Sequence, residues 1–298
     1  MSGAIQIAEG LSMSDWRRIS RHLAVALMAG ALCGAPATAR EGPPQRVVSI
    51  NLCTDQLAML LAAPGQLLSV SYLAVDARAS AMADEATGYV INHGLAEEIY
   101  LMQPDLVIAG AYSTRATVDM LQRLNIPVAV FDVANSLGDI RDRIAQMGTV
   151  LHREEAATTM LADFDTRMAM LTAEVQRSPR AVLYYANGYT SGDKTLAGQI
   201  LLAAGFANAA EETGFAAGRK LPLEVLAVTD PDVVVTAQPY PGASRSEEVL
   251  DHPVVRALRE NRATATMTDH DWVCGTPYVL RAIDNLSTAR QQPPGDRP

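Results

Sequence analysis

One sequence pattern occurs twice in this chain, and it constrains the fold more than any other feature. Ala96-Glu97-Glu98-Ile99 is followed five positions later by Pro104-Asp105-Leu106-Val107-Ile108, and Leu223-Glu224-Val225-Leu226 is followed at the same distance by Pro231-Asp232-Val233-Val234-Val235. In each copy a proline ends an amphipathic helix, and the apolar run after it is typical of a strand buried on both faces. A helix that leads into a buried strand is one step of a parallel α/β sheet.

The similarity between the two copies extends upstream. Arg46-Val47-Val48-Ser49-Ile50, followed by Leu60-Leu61-Ala62-Ala63, parallels Arg180-Ala181-Val182-Leu183-Tyr184, followed by Leu201-Leu202-Ala203-Ala204-Gly205. The sequence therefore predicts two related α/β lobes with mostly parallel sheets, over residues 40–152 and 178–290, and two lobes form a cleft between them.

Local patterns predict the elements of the first lobe. Strands are expected at Arg46–Ile50, Leu67–Ser71, Leu106–Ala109 and Val128–Phe131, and helices at Asp55–Ala62, Leu95–Met102 and Arg115–Leu124. Thr54 or Asp55 is the expected N-cap of the first helix. The second lobe repeats the alternation from Arg180 and ends in a helix at Pro277–Ala289. The tail at 291–298, rich in proline and charge, is predicted to be disordered.

A long helical stretch connects the lobes. Residues 154–177 contain no glycine or proline, and apolar residues recur on one stripe, so a linker helix is predicted within 153–177, before Ser178-Pro179. A helix is a stiff connector, and we expect modest lobe movement on ligand binding.

The N-terminal residues have the composition of an export signal. Arg17, Arg18 and Arg21 precede the apolar run Leu23–Leu32, and Ala37-Thr38-Ala39 supplies the small residues of a cleavage site, so 1–39 is predicted to be a secretory signal peptide. A lipid-anchored start at Cys33 is the weaker alternative, because Leu32 is bulky where such sites need a small residue.

The net charge of −9 becomes −10 when residues 1–39 are removed. An acidic chain without clusters of basic residues argues against binding to nucleic acid or to anionic lipid.

The residues that follow predicted strands are the candidates for ligand binding, because ligands collect at the carboxyl ends of parallel strands. Tyrosine is frequent among them, and the chain has nine tyrosines against four phenylalanines. An apolar ring with a hydroxyl suits a bulky ligand of mixed polarity. The candidates are Asn51, Cys53, Thr54, Tyr72, His93, Tyr112 and Arg115 in the first lobe, and Tyr185, Asn187, Tyr189, Tyr240, Trp272 and Cys274 in the second.

Motifs of metal sites and enzymes are missing from the sequence. The histidines are isolated, and there is no HExxH, CxxC, GxGxxG, GxxxxGK or GxSxG pattern, so no metal site and no catalytic residue is predicted. Cys53 and Cys274 each follow a predicted strand in their own lobe. They are open to three interpretations: a disulfide that ties the lobes together, two inert thiols, or thiols that contact a bound metal chelate.

The order and spacing of these motifs resemble the periplasmic binding proteins for iron-siderophores and cobalamin that serve ABC importers. The resemblance depends on Arg46–Ile50 with the Thr54 loop, on both Pro-Asp patterns and on the long connecting helix. It implies two Rossmann-like α/β lobes bridged by a single long helix, the class III arrangement. It also implies a shallow cleft, little hinge motion and delivery of a metal chelate to a membrane permease.

The resemblance also implies roles for individual residues. In that family one exposed glutamate on each lobe meets arginines of the permease, and Glu97 and Glu224 match those positions. Two equivalent acids on related lobes suit a partner with twofold symmetry. Trp272 is expected to stack against a flat or macrocyclic ligand, and Arg115 to pair with an anionic ligand group.

These observations predict an extracytoplasmic solute-binding protein rather than an enzyme. We expect it to capture a metal chelate, with a ferric siderophore first, cobalamin second and haem third, and to deliver the chelate to an ABC importer permease. It is expected to be a periplasmic monomer without a resident cofactor, without nucleic acid as a partner and without direct membrane insertion. The alternative from another class is an exported redox or metal-handling enzyme that uses Cys53 and Cys274.

Overall fold

The structure is a computed structural model that describes residues 42–172, 178–239, 242 and 244–291. The predicted signal peptide, Cys33, residues 173–177 of the predicted linker, Tyr240 and the predicted tail beyond Gln291 lie outside the described residues. Residues from Pro44 onward form one compact unit. Among the described helices, none combines the length and the apolar character that crossing a bilayer requires.

The first lobe contains a five-stranded sheet in the order β3-β2-β1-β4-β5, and every neighbouring pair is parallel. Its strands are β1 (Val47–Ser49), β2 (Leu67–Ser71), β3 (Val90–Asn92), β4 (Leu106–Gly110) and β5 (Val128–Phe131). Its helices are α1 (Leu52–Leu61), α2 (Ala83–Ala86), α3 (Ala96–Leu101), α4 (Arg115–Arg123) and α5 (Leu137–Leu151).

The second lobe contains a four-stranded parallel sheet in the order β11-β10-β6-β8, with a small antiparallel ribbon of β7 and β9 beside it. Its strands are β6 (Arg180–Leu183), β7 (Tyr189–Thr190), β8 (Ala207–Asn208), β9 (Arg219–Lys220), β10 (Val233–Thr236) and β11 (Ala263–Thr266). Between the lobes runs α6 (Glu154–Thr172), and the helices of the second lobe are α7 (Leu196–Ala203), α8 (Ala209–Glu212), α9 (Leu223–Thr229), α10 (Pro253–Asn261), α11 (Asp269–Trp272) and α12 (Val279–Gln291).

The repeated Pro-Asp pattern performs the same structural task in both lobes. Asp105 accepts hydrogen bonds from the backbone N–H groups of Gln45 and Arg46, both at 2.9 Å. Asp232 accepts one from the backbone N–H of Arg180 at 2.9 Å. Each aspartate thus pins the start of one central strand, β1 or β6, to the start of the strand beside it.

The arginine at the start of each central strand completes this arrangement. Arg46 donates to the backbone oxygens of Met102 and Gln103, and Arg180 donates to those of Thr229 and Asp230. These carbonyls lie at the C-terminal ends of α3 and α9, where the end of a helix leaves acceptors without partners in the helix itself. We call the Arg/Pro-Asp arrangement in each lobe the strand latch.

Two predicted helices have wrong boundaries, one in each lobe. The first helix begins at Leu52 rather than Asp55, because the Asn51 side chain caps it by accepting from the N–H groups of Cys53 and Thr54. Thr54 and Asp55 are buried inside α1 instead. The last helix of the second lobe begins at Val279, two residues after the predicted start. It ends at Gln291, two residues beyond the predicted end, so the first residue of the tail that is predicted to be disordered is helical.

Helix α5 is not predicted from the sequence at all. It opens with a capping box in which the Ser136 hydroxyl accepts from the Asp139 N–H, and it packs against α6. Close contact between these two helices requires Gly148, because a Cβ there would lie 2.5 Å from the Cβ of Ala157.

The helix α6 connects the lobes and packs against elements of both. Its 19 described residues span about 28 Å, and it contacts α5 on one side and α12 on the other. Ala157, Phe164 and Met168 of the predicted apolar stripe are buried, and Phe164 is 1% exposed. They belong to one cluster of buried apolar side chains that continues from Leu61 in the first lobe to Ile283 in the second. The two lobes therefore share a core.

A disulfide between Cys53 and Cys274 also joins the lobes, with a Cα–Cα distance of 4.7 Å. This is the first of the three interpretations that the sequence leaves open.

Other contacts between the lobes lie close to the disulfide. The adjacent Gly275 has a φ of +55°, and a Cβ there would lie 2.5 Å from the Cβ of Ala134 in the first lobe. Nearby, the Leu137 N–H donates to the Gln199 side chain across the lobes at 2.9 Å.

Removal of the disulfide is expected to lower the free energy of unfolding. The bond closes a loop of 221 residues, and loss of a long cross-link releases about 3–5 kcal/mol of conformational entropy in the unfolded chain. Cys53→Ala with Cys274→Ala should show this loss in urea unfolding of the chain from residue 40 onward. The unmutated protein under reducing conditions is the control and should match the variant. An unchanged unfolding midpoint would contradict a structural role for the bond.

Candidate ligand-binding cleft

The carboxyl edges of the two sheets meet at the disulfide. Cys53 follows β1 in the first lobe and Cys274 follows β11 in the second, so their bond brings the two edges together. A second contact across the lobes lies between the His270 ring nitrogen Nδ1 and the backbone oxygen of Ala77 at 3.1 Å. The candidate residues of both lobes are therefore arranged around one junction.

Two openings lie at this junction. A cavity of about 70 Å³ lies beside the disulfide. Its lining includes five of the predicted site residues: Asn51, Cys53, Thr54, Tyr112 and Cys274. A larger opening of about 260 Å³ lies between Ala77 and Arg78 of the first lobe and a set of second-lobe residues, namely Gln238, Pro239, Thr268, Asp269 and His270.

Trp272 and Tyr185 form a stacked aromatic pair in the second lobe. Their ring centroids are 6.1 Å apart and the ring planes are inclined by 15°. Within the described residues, neither the Tyr185 hydroxyl nor the Trp272 indole nitrogen has a hydrogen-bond partner, and both atoms are buried. Burial raises the pKa of Tyr185 well above its usual value, with the nearby Asp269 carboxylate adding to the effect. The hydroxyl therefore stays protonated and is a hydrogen-bond donor at neutral pH.

A second stacked pair lies in the first lobe. Tyr72 and His93 follow β2 and β3, with ring centroids 5.7 Å apart and planes inclined by 18°. Glu98 fixes His93, because its carboxylate accepts from the His93 backbone N–H at 2.7 Å and lies 3.3 Å from Nδ1. Tyr72 is half exposed. The adjacent strands β2 and β3 thus present an aromatic face at the carboxyl edge.

Four further predicted residues differ in their exposure and backbone setting. Tyr112 after β4 is 88% exposed, and Arg115 is exposed in the first turn of α4. Asn187 has a left-handed backbone with φ of 58°, and its N–H donates to the Ser246 carbonyl. Tyr189 is half exposed on β7. None of these four makes an aromatic stack among the described residues.

Asp271 is a residue that the sequence analysis did not select, and its carboxylate makes the contacts that hold the segment carrying Trp272. Its carboxylate is buried and lies 3.0 Å from Arg281 Nε and 3.5 Å from His270 Nε2. The Thr268 hydroxyl donates to its other oxygen at 3.2 Å. Histidine next to an acid in His270-Asp271 was the available signal, but Arg281 becomes its neighbour only through the packing of α12.

A second missed residue is Asp55, which lies beneath the cleft in α1. It accepts hydrogen bonds from the Ser71 N–H and hydroxyl at the end of β2. Burial raises its pKa to about 6, because the loss of hydration outweighs the hydrogen bonds from Ser49 and Ser71 that stabilise the charged form. Thr54 lies beside this network, with its hydroxyl 2.8 Å from that of Ser49.

A family model described as periplasmic binding protein matches residues 47–266, a span that includes both sheets. The chain belongs to the periplasmic binding protein family. The predicted fold of two α/β lobes with mostly parallel sheets, bridged by one long helix, is confirmed. Members of this family bind substrates for transport rather than convert them, so the prediction that the chain is not an enzyme is also confirmed. Family membership implies an extracytoplasmic location.

Similar proteins are known for several ligands. A cobalamin-binding protein of Halobacterium salinarum is 27% identical over 240 residues, which cover 77% of this chain and 65% of the relative. The chain thus spans slightly less than two thirds of that relative's length.

Solved structures with the same fold have lower sequence identity. A periplasmic heme-binding protein from Roseiflexus sp. RS-1 in apo form has a TM-score of 0.66 at 21% identity, over 82% of this chain and 97% of that one. An ABC-type Fe3+-hydroxamate transport system structure from Saccharomonospora viridis has a TM-score of 0.63 at 19% identity, over 85% of this chain and 95% of that one.

Asp55→Asn is expected to remove a pH dependence of stability. Between pH 3.8 and about 6 the unfolded carboxyl is ionised while the folded one keeps its proton, so stability falls as pH rises through this window. At pH 7 the variant should be more stable by about 3 kcal/mol, and near pH 4 the two proteins should be nearly equal. Urea unfolding at both pH values measures the difference.

The exposed Asp119→Asn on α4 is the control for this measurement and should change stability little at either pH. Equal stability of Asp55→Asn and the unmutated protein at pH 7 would show that burial does not penalise the Asp55 carboxylate.

Proposed function

We propose that this protein captures a metal chelate built on a flat macrocycle, with a corrinoid of the cobalamin class first, between its lobes. It then delivers the chelate to the permease of an ABC importer. The observation that carries the proposal is the stacked Tyr185–Trp272 pair at the junction of the two carboxyl edges. An aromatic face suits a planar ring.

Two further observations support a macrocyclic ligand. The Tyr72–His93 pair places a second aromatic face on the other lobe, so a flat ligand can be contacted from both sides of the cleft. The Halobacterium salinarum relative, which shares 27% identity, is a cobalamin-binding protein. Sequence reasoning ranked a ferric siderophore first, and the two aromatic pairs favour reversing that order.

A ferric siderophore or haem is the second candidate, because Arg115 favours a ligand with an acidic group. The guanidinium is exposed at the carboxyl edge, in the first turn of α4. Haem and many ferric siderophores carry carboxylate or hydroxamate oxygens that pair with arginine. Ring stacking favours the macrocyclic chelates, corrinoid and haem, whereas charge pairing favours the ligands with acidic groups, haem and ferric siderophores.

We further propose that the protein reaches the periplasm as a monomer through a cleaved signal peptide at 1–39, and that Glu97 and Glu224 meet basic residues of the permease. Both glutamates are exposed, and each is the second residue of its helix, α3 or α9. The domain bounds of 40–152, 153–177 and 178–290 belong to the same proposal.

Calorimetric titration with cyanocobalamin, haemin and ferrichrome tests the ligand class. We expect saturable one-to-one binding of cyanocobalamin, about tenfold weaker in Trp272→Ala and within about threefold in Trp272→Phe, since the phenyl ring keeps the stack. Tyr100→Ala on α3 removes an exposed aromatic side chain away from the junction and should leave affinity unchanged. Binding of ferrichrome alone would reverse the ligand order, and binding of none would overturn the proposal.

Replacing both glutamates should separate binding from transport. Glu97→Ala with Glu224→Ala is expected to keep the cyanocobalamin dissociation constant and to reduce uptake by cells at least about tenfold, because rim charges mainly set association and orientation. Glu155→Ala with Glu248→Ala removes the same charge from exposed positions outside the repeat and should transport normally. Normal uptake by the first variant would remove the docking role.

A further inference from the structure

Two exposed aliphatic side chains occupy the same position in the two copies of the repeat. Leu101 lies four residues after Glu97, and Val228 lies four residues after Glu224. Leu101 is 80% exposed and Val228 is 85% exposed. Single exposed aliphatic residues are common on protein surfaces and need no explanation. Here, however, an aliphatic residue with high exposure recurs at equivalent positions of two related helices, and that recurrence does need an explanation.

Helix geometry puts each aliphatic residue on the face that carries the glutamate. Residues four apart on a helix are neighbours on one face. On the opposite face of each helix, one buried apolar residue packs into the core: Ile99 in α3 and Leu226 in α9. Neither side chain has any exposed surface. Each lobe thus presents an acid and an aliphatic side chain together. We call these two residue pairs, Glu97 with Leu101 and Glu224 with Val228, the lobe knobs.

The strand latches hold both lobe knobs in place. Arg46 donates to the carbonyls of Met102 and Gln103, directly after Leu101. Arg180 donates to the carbonyls of Thr229 and Asp230, directly after Val228. The ends of short helices fray unless their carbonyls find partners, so these bonds fix the turn that presents each aliphatic side chain.

The residues between the shared positions differ in the two copies of the repeat. Duplication of one apolar helix therefore does not by itself explain why both copies keep an exposed aliphatic residue. Between the shared positions, Glu98 corresponds to Val225 and Tyr100 to Ala227. What the two helices keep in common is the acid, the buried anchor and the exposed aliphatic residue.

We propose that the two lobe knobs dock into a membrane protein with twofold symmetry, in which each half carries a basic side chain beside an apolar pocket. This inference rests on the proposed function and assigns Leu101 and Val228 as paired apolar contacts of the permease. The glutamates set orientation and association rate, whereas burial of the aliphatic side chains slows dissociation. Charge alone would leave a complex that salt weakens easily.

Leu101→Ser with Val228→Ser tests the inference in the full-length mature protein. The probe is the host's chelate-importing permease in lipid nanodiscs, with binding followed by biolayer interferometry. We expect the dissociation constant of the complex to rise about tenfold in the double variant and about threefold in each single variant, since distant sites add in free energy. The increase should lie mainly in the dissociation rate, and cyanocobalamin affinity should not change.

Two matched variants control for loss of exposed apolar surface. Met120→Ser with Met170→Ser removes exposed apolar side chains outside the lobe knobs and should bind the permease normally. Leu101→Ile with Val228→Ile keeps the apolar contacts and should bind within about twofold of the unmutated protein.

The outcomes separate this inference from the proposed function. If Glu97→Ala with Glu224→Ala weakens the complex and the serine variant does not, the apolar contacts are overturned while the transport function stands. If the unmutated protein binds cyanocobalamin but no permease, the docking partner is wrong and the inference falls with it. Equal tenfold losses in the serine variant and in the methionine control would also overturn the specific role of Leu101 and Val228.

Discussion

The hydrogen bonds that the carboxylates of Asp105 and Asp232 accept from backbone N–H groups at the start of the neighbouring strands are the constraint on which the rest of the structure depends. They align β1 with β4 and β6 with β10, so that each sheet has its central pair in register before any side chain of the cleft is placed. Once these strands are fixed, their carboxyl ends present Asn51, Tyr185 and the loops beside them at one edge. The same aspartates, through Arg46 and Arg180, also fix the helices that carry Glu97 and Glu224.

The second constraint is the way in which the lobes are held together. A shared apolar core, the helix α6, the close approach at Gly275 and the disulfide all act across the junction. Because these contacts lie both behind the cleft and at its edge, a wide opening would have to break several of them at once. The expectation of modest lobe movement stays a prediction, and this packing gives it a physical reason beyond the stiffness of one helix.

The sequence predicted the parallel sheets well, because buried strands and Pro-Asp helix ends are local signals. It missed α5, although the capping box at Ser136 and the apolar residues Ile140 and Ile144 carried a helical period. Gly138 and Gly148 within this helix lower its intrinsic helix propensity, so its stability depends on packing against α6, which the sequence alone does not show. The stacking of Tyr185 on Trp272 depends on packing between segments distant in sequence, and no local pattern predicts it. The raised pKa of Asp55 likewise follows from burial by neighbours and not from its own residue type.

The bond between Cys53 and Cys274 has a consequence for how the protein is made. The two cysteines lie 221 positions apart, so a chain that is synthesised from its N-terminus exposes the Cys53 thiol long before its partner emerges. During that interval the thiol is available to any oxidant or foreign sulfhydryl that it meets. Covalent closure therefore has to wait until the segment that carries Cys274 has been made, so this bond joins the two lobes only after most of both has been synthesised.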